Sequence, residues 1–119
     1  MAVFLQNKHS EIKIDNLDIK KNVDAIMANL NCLDKEISIL LMDDDDIRQL
    51  NKKFRGYNKP TDVLSFPQNA DEDPPIPGEI ILGDIAISLD IAKIQAKEHG
   101  LKLKEEIILL LIHGILHLL

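Results

Sequence analysis

His113 and His117 lie four residues apart in the segment Ile107–Leu119, IILLLIHGILHLL. On a helix that spacing puts both imidazoles on one face, about 6 Å apart along the axis, where they can converge on one metal ion. The same geometry underlies the zinc-protease pattern H-E-x-x-H. Here Gly114 stands where that pattern has glutamate. The helix therefore lacks the carboxylate that such proteases use as general base, which counts against peptide hydrolysis by that route. The plain alternative is a pair of core-facing histidines, or a pair complementing the dipole at a helix C-terminus. Two ligands also fall short of a catalytic zinc site, which has three protein ligands and a water. His9 and His99 are the remaining imidazoles. The first reads as a loop residue, the second as a dipole partner or solvated residue in the last turn of its helix.

The second group with chemical potential is cationic. Arg48, Lys52, Lys53, Arg55 and Lys59 fall in one stretch with no acidic residue among them. The whole chain carries 20 acidic against 14 basic residues, a net charge of −6. That balance argues against a generic polyanion binder, while a local patch on an acidic protein suits a specific anionic ligand. The Arg55 guanidinium can hold phosphate oxygens in a bidentate contact, and Gly56 and Tyr57 beside it allow close backbone approach and base stacking. A solvated helix face is the simpler reading of such a run. Asp43–Asp46 could be imagined as a magnesium site, but a helix N-terminus accounts for it more cheaply. Asp62 and Ser65 have no G-x-S-x-G around them, and no phosphate-binding glycine pattern occurs. The single cysteine, Cys32, precludes an intrachain disulfide and reads as a small core residue.

These residues need elements to hold them. The 119 residues, 45% hydrophobic and 29% charged, suffice for one compact domain over 1–119. Ala2–Gln6 and Glu11–Ile14 read as short strands. Ile19, Val23, Ile26, Met27 and Leu30 repeat with helical period, and Glu36–Met42 reads as a strand buried in a sheet. Asp43–Asp46 starts a helix whose Ile47, Leu50 and Phe54 face the core, with Arg48, Lys52 and Arg55 as a basic stripe. Arg55–Thr61 is a loop, Asp62–Phe66 a strand, and Pro67–Gly78, with four of the five prolines, a surface loop. Glu79–Leu82 and Asp84–Ile87 are extended and interrupted at Gly83. Ser88 caps a helix that stops at Gly100, and a last helix runs from Lys102–Glu106 to Leu119. The sum is an α+β (mixed α/β) fold: a mixed β-sheet of about four strands flanked by helices, with the candidate metal helix at the C-terminal end. The final apolar run is shorter than the roughly twenty residues of a membrane helix, and MAVFLQNKHS lacks the apolar core of a signal peptide. A cytoplasmic protein is expected. An uncapped apolar turn also calls for a partner or for residues beyond Leu119.

Leu50–Pro67 (LNKKFRGYNKPTDVLSFP), Gly78–Ser88 (GEIILGDIAIS) and Leu109–Leu119 (LLLIHGILHLL), in this order, resemble the YbeY family of bacterial endoribonucleases and rRNA maturation factors. The resemblance covers nearly the whole chain. It implies a metal site of the form H-G-x-L-H-L-x-G-Y-D-H, in which His113 and His117 match the first two histidines and the third is expected beyond Leu119. One divalent ion, Zn2+ by this resemblance, would be the cofactor. Arg55 matches the family's functional arginine, and Arg48, Lys52, Lys53 and Lys59 become candidate substrate contacts. The implied activity is metal-dependent, single-strand-specific endoribonuclease action in small-subunit (16S) rRNA 3′-end maturation and ribosome quality control. The implied partners are RNA, the small ribosomal subunit and its assembly factors, with no membrane partner. The alternatives are a non-catalytic ribosome-assembly factor with a structural metal and, more remotely, a metalloprotease-like hydrolase.

Overall fold

The computed structural model describes residues 3–32, 34–67 and 80–119. Four strands and four helices follow in the order β1 (Val3–Asn7), α1 (Asn16–Asn29), β2 (Lys35–Met42), α2 (Asp44–Arg55), β3 (Val63–Pro67), β4 (Ile80–Ser88), α3 (Leu89–His99) and α4 (Leu103–Leu118). The sheet order is β1-β2-β4-β3. β1, β2 and β4 run parallel, and β3 pairs antiparallel with β4, Ser65 opposite Ile85. The α+β expectation holds, with four strands in one mixed sheet. No helix among the described residues is long and apolar enough to cross a membrane.

The two faces of the sheet are covered unequally, and the alternation of side chains along β2 shows why. Ile37, Ile39 and Leu41 point to one face with Ile85 and Ile87 and meet Ile19, Val23 and Met27 of α1, Leu89 and Ala92 of α3, and Ile107, Leu111 and Ile115 of α4. Met42, Leu64 and Ala86 point to the other face, where, among the described residues, α2 covers them through Ile47 and Leu50. Cys32 is buried in the larger cluster, as expected. Phe54, expected in the core, is 56% exposed. A cluster with four buried members is too small to enclose the last turn of α2, and Phe54 packs against Phe66, edge to face at 5.3 Å, with the Lys53 ammonium near its ring.

Two further expectations need correction. Glu11–Ile14 is not a strand. His9 is buried, and its Nδ1 accepts the amides of Glu11 and Ile12 at 3.1 and 3.0 Å, while the Asn7 side chain donates to the Ile12 carbonyl. Side chains thus satisfy backbone groups that would otherwise join a ladder. His9 is accordingly a packed residue and not a plain loop histidine. At Gly83, β4 continues without a break and absorbs the irregularity as a register shift against Glu36/Ile37 of β2. The Pro67–Gly78 loop lies, apart from Pro67, outside the described residues.

Helix ends follow the sequence closely. Asp43 caps α2, accepting the Asp46 amide at 2.9 Å, and Ser88 caps α3, accepting the Ile91 amide at 3.1 Å. Ser88 also donates to the Asp44 carboxylate at 2.5 Å, the Asp44 amide donates to Asp90, and Asp90 pairs with His9 Nε2 at 2.8 Å. Burial by itself raises the Asp90 carboxyl pKa, but the His9 hydrogen bond, the Asp44 amide and nearby positive charge outweigh it and hold the group below its ordinary value. Ser88 is fully buried at the junction of two helix starts. Ser88→Ala is therefore expected to lower the unfolding free energy by roughly 1–3 kcal/mol, combining a lost cap with a lost donor to the half-buried Asp44 carboxylate. Urea denaturation of the two proteins measures it, and a difference below a few tenths would show that the network does not hold α3.

Candidate functional site

Arg55, His113 and His117, distant in sequence, line one open cleft of about 510 Å³ together with Asn51, Tyr57, Asp62 and Ser65. Each wall has a local cause. α2 ends after Arg55 because Gly56 takes a left-handed conformation (φ 79) and turns the chain away, its amide donating back to Lys52. The following loop is pinned by Asn51, which is buried and donates through Nδ2 to the Lys59 carbonyl at 2.8 Å. β3 is an edge strand, and its Ser65 carbonyl accepts from Arg55 Nη2 at 2.8 Å. The Arg55 guanidinium carbon also lies 5.7 Å from the Phe66 ring centre. Arg55 is thus oriented by one hydrogen bond and one ring, with further N–H groups available for an anion.

α4 supplies the opposite wall. It crosses β3 and β4 at Gly114, where a Cβ would stand 3.0 and 3.2 Å from two carbons of Ile85 and 3.2 Å from Ser65 Oγ. The Ser65 hydroxyl donates to the Gly114 carbonyl at 3.2 Å. This close approach explains the glycine between the histidines: a glutamate side chain there would be driven into Ile85 in the core, so the protease pattern has no room. With Gly114 facing the sheet, His113 and His117 point outward, both exposed. Their rings are tilted by 52° with centroids 4.8 Å apart, and the Nε2 atoms are 3.1 Å apart. Two nitrogens on one tetrahedral zinc, each at about 2.0–2.1 Å, stand about 3.3 Å apart. The donor pair fits a shared cation. Among the described residues no group of three His, Cys, Asp or Glu gathers around them.

The cationic candidates separate in space. Arg55 alone of the five lines the cleft. Arg48 is engaged internally, donating to Asp45 at 2.7 Å and to Asn58 at 2.6 Å. Asp45 is correspondingly held below the usual carboxylate range by its hydrogen bonds from Arg48 and Gln49 and by the Arg48 charge. Lys52 is exposed on α2, and Lys53 borders a different depression with Lys8, Leu40 and Asp46. Lys59 sits at the cleft margin, its Nζ 5.6 Å from the ring centre of Tyr57. The Asp43–Asp46 run is the start of α2, as expected.

Asn51 was not a candidate on sequence and Ser65 was set aside as a nucleophile, yet they hold the site's two sides in place. Asn51 carried a signal: it lies four residues after Ile47, on the apolar stripe, where a polar residue demands a buried partner. Ser65 carried none, because its partners come from α2 and α4. Asp62 also reaches the cleft, its carboxylate accepting from the Val63 amide at 2.8 Å and from Gln95 at 3.3 Å.

An adjoining cavity of about 230 Å³ links Asp62 and His113 to His99 and Glu106. His99 is in the last turn of α3 as expected, but its Nδ1 lies 2.9 Å from the buried Glu106 carboxylate. That hydrogen bond and the Glu106 charge raise the His99 pKa above its ordinary value. A raised folded-state pKa stabilises the fold fully below the unfolded value, near about 6.5, and the contribution fades as pH rises through the folded value. The Tm gap between the native protein and His99→Gln is therefore expected to be larger at pH 6 than at pH 9. An equal gap at both pH values would remove the ion pair as its source.

A small α+β domain whose histidine-bearing helix faces an edge-held arginine across an open cleft is the class that these features define. The family model described as Endoribonuclease YbeY matches residues 4–119, and the chain belongs to that family. A curated relative from Persephonella marina, named Endoribonuclease YbeY, is 56% identical over 101 residues, covering 85% of this chain and 65% of its own length. One of the same name from Sulfurihydrogenibium is 52% identical over 102 residues, covering 85% and 64%. The chain therefore spans just under two-thirds of the length of these two relatives. The solution structure of TM1509 from Thermotoga maritima is similar over 98% of this chain and 71% of that one, with a TM-score of 0.69 and 27% identity.

Proposed function

We propose that the chain carries the catalytic cleft of a metal-dependent endoribonuclease that cuts single-stranded RNA. The observation that carries this reading is the meeting of Arg55 with His113 and His117 in one cleft, the histidine Nε2 atoms 3.1 Å apart. His113 and His117 would hold one divalent ion, zinc by the resemblance to the family pattern, whose third histidine these 119 residues do not contain. When bound, such an ion lowers the pKa of a water toward neutrality or polarises a phosphoryl oxygen. Arg55 receives the scissile phosphate and neutralises the charge that grows on it, held for that task by the Ser65 carbonyl and the Phe66 ring. Lys59, Lys52 and Lys53 offer weaker, more mobile attraction to the flanking strand, and Arg48 acts through the loop it ties at Asn58. The finer reading is that the RNA is the small-subunit (16S) rRNA near its 3′ end, met in the cytoplasm on the ribosomal subunit and its assembly factors, with a part in ribosome quality control. The family names of the relatives support RNA as the substrate.

The test is cleavage of a labelled single-stranded oligoribonucleotide with and without chelator, alongside bound-metal analysis. Cleavage is expected to stop in chelator and to return with zinc, and His117→Ala is expected to lose both metal and cleavage. Undiminished cleavage in chelator refutes metal dependence. A metal-loaded protein that binds RNA and leaves it whole points instead to the non-catalytic assembly factor.

A further inference from the structure

Two exposed aromatic rings accompany Arg55, and neither is used by the cleavage chemistry. Tyr57 lines the cleft and is 60% exposed, with Lys59 Nζ over its ring. Phe54 is 56% exposed, with Lys53 Nζ 5.2 Å from its ring centre, and it packs against Phe66, the ring that also bears the Arg55 guanidinium. Isolated exposed aromatics are ordinary on protein surfaces. Here Tyr57 lines the cleft with Arg55, Phe54 shares the Phe66 ring with the Arg55 guanidinium, each carries a flexible lysine, and the stretch 47–61 contains no carboxylate at all. Among the described residues Asp62 is the one carboxylate lining the cleft, so the segment itself is a cationic patch with apolar rings, complementary to a polyanion that carries flat apolar groups.

We infer that Tyr57 and Phe54 form a base-stacking shelf for the unpaired nucleotides on either side of the phosphate held at Arg55. The inference rests on the proposed reading of the substrate as RNA and names what reads its single-strandedness. Magnitudes favour the exchange. An exposed lysine over a ring is worth about 0.5–1 kcal/mol, whereas a stacked base is worth about 1–3 kcal/mol. A base therefore displaces the ammonium from the ring face, and Lys59 or Lys53 is released to a neighbouring phosphate. Paired bases in a duplex have both faces covered and cannot reach the shelf.

Tyr57 is the only tyrosine in a chain without tryptophan, so its emission reports on the shelf directly. The intact protein is titrated with a short single-stranded oligoribonucleotide, with chelator added to keep the strand whole. Saturable quenching of Tyr57 emission is expected, with the same Kd from the anisotropy of a dye-labelled strand. Tyr57→Leu and Phe54→Leu should each weaken binding roughly 5- to 150-fold, and Tyr57→Phe should restore it by keeping the ring. An abasic ribose-phosphate strand of equal length should bind as weakly as those leucine variants bind RNA, without quenching. If the abasic strand binds as tightly as RNA, and Arg55→Ala weakens both, the shelf is refuted while RNA binding stands. If neither strand binds, the RNA reading falls with it. Equal quenching by polyglutamate would mark the surface as one for acidic proteins and overturn the inference.

Discussion

Arg55→Ala is expected to lower single-stranded RNA cleavage about 10²- to 10³-fold, the cost of removing one well-placed donor from a site of developing negative charge. The fold should barely register the change. Arg55 is exposed, its one hydrogen bond is to the carbonyl of an edge strand that water can reach, and its contact with Phe66 lies at the surface. An unfolding free energy within about 0.5 kcal/mol of the native protein is expected. Arg55→Lys should recover only part of the activity. An ammonium keeps the charge but cannot bond the Ser65 carbonyl and a phosphate as a planar fork does. The decisive measurement is a single-turnover rate on a labelled strand beside a thermal melt. Native-like cleavage by Arg55→Ala removes this residue from the mechanism, and a collapsed melt assigns it to the fold instead.

The largest stability effect is expected at Gly83. Its φ of 150° lies where side-chain-bearing residues are strained, and a Cβ there would stand 2.4 Å from the Phe66 carbonyl oxygen, 2.9 Å from a Leu118 methyl and 3.0 Å from the Pro67 Cα. Two of those three atoms are backbone, which cannot rotate away. Gly83→Ala should therefore cost about 3–5 kcal/mol, the sum of backbone strain and overpacking, and lower Tm by roughly 10 °C or more. Gly56→Ala is the matched control. Gly56 is also left-handed, at φ 79, but a Cβ there meets nothing within 4 Å, so only the conformational cost of about 1 kcal/mol remains. Equal melts for the two variants would show that the contact across β3, β4 and α4 is looser than its geometry. Because Leu118 follows His117 directly, Gly83→Ala should also disturb the histidine pair, visible as weakened metal binding in whatever protein remains folded.

Residues whose role depends on their immediate neighbours could be understood from the chain alone. Asp43 and Ser88 cap the helices they precede, because a cap needs only an amide three residues on. The His113/His117 spacing set both rings on one helical face. The cationic stretch and the shift from period 3.6 to period 2 placed α2, β2 and the mixed α+β class. Other properties arise only when segments far apart in sequence touch. Glu11–Ile14 alternates like a strand but is claimed by His9 and Asn7, and Phe54 keeps helical spacing yet finds only one ring to pack on. Arg48 and Arg55 lie on one stripe of one helix, and composition treats them alike. Packing separates them: Arg48 is taken by Asp45 and Asn58, while Arg55 is turned by Ser65 and Phe66 toward the histidines. The meeting of Arg55 with α4 depends on β3 lying at the sheet edge and on a glycine that lets a helix approach the sheet closely. The sequence by itself thus determined most of the elements, the caps at Asp43 and Ser88, and the residue types able to bind a metal and a phosphate. Only the tertiary structure decided which of those residues share a cleft, because orientation toward a distant partner is a property of packing and leaves no local period to read.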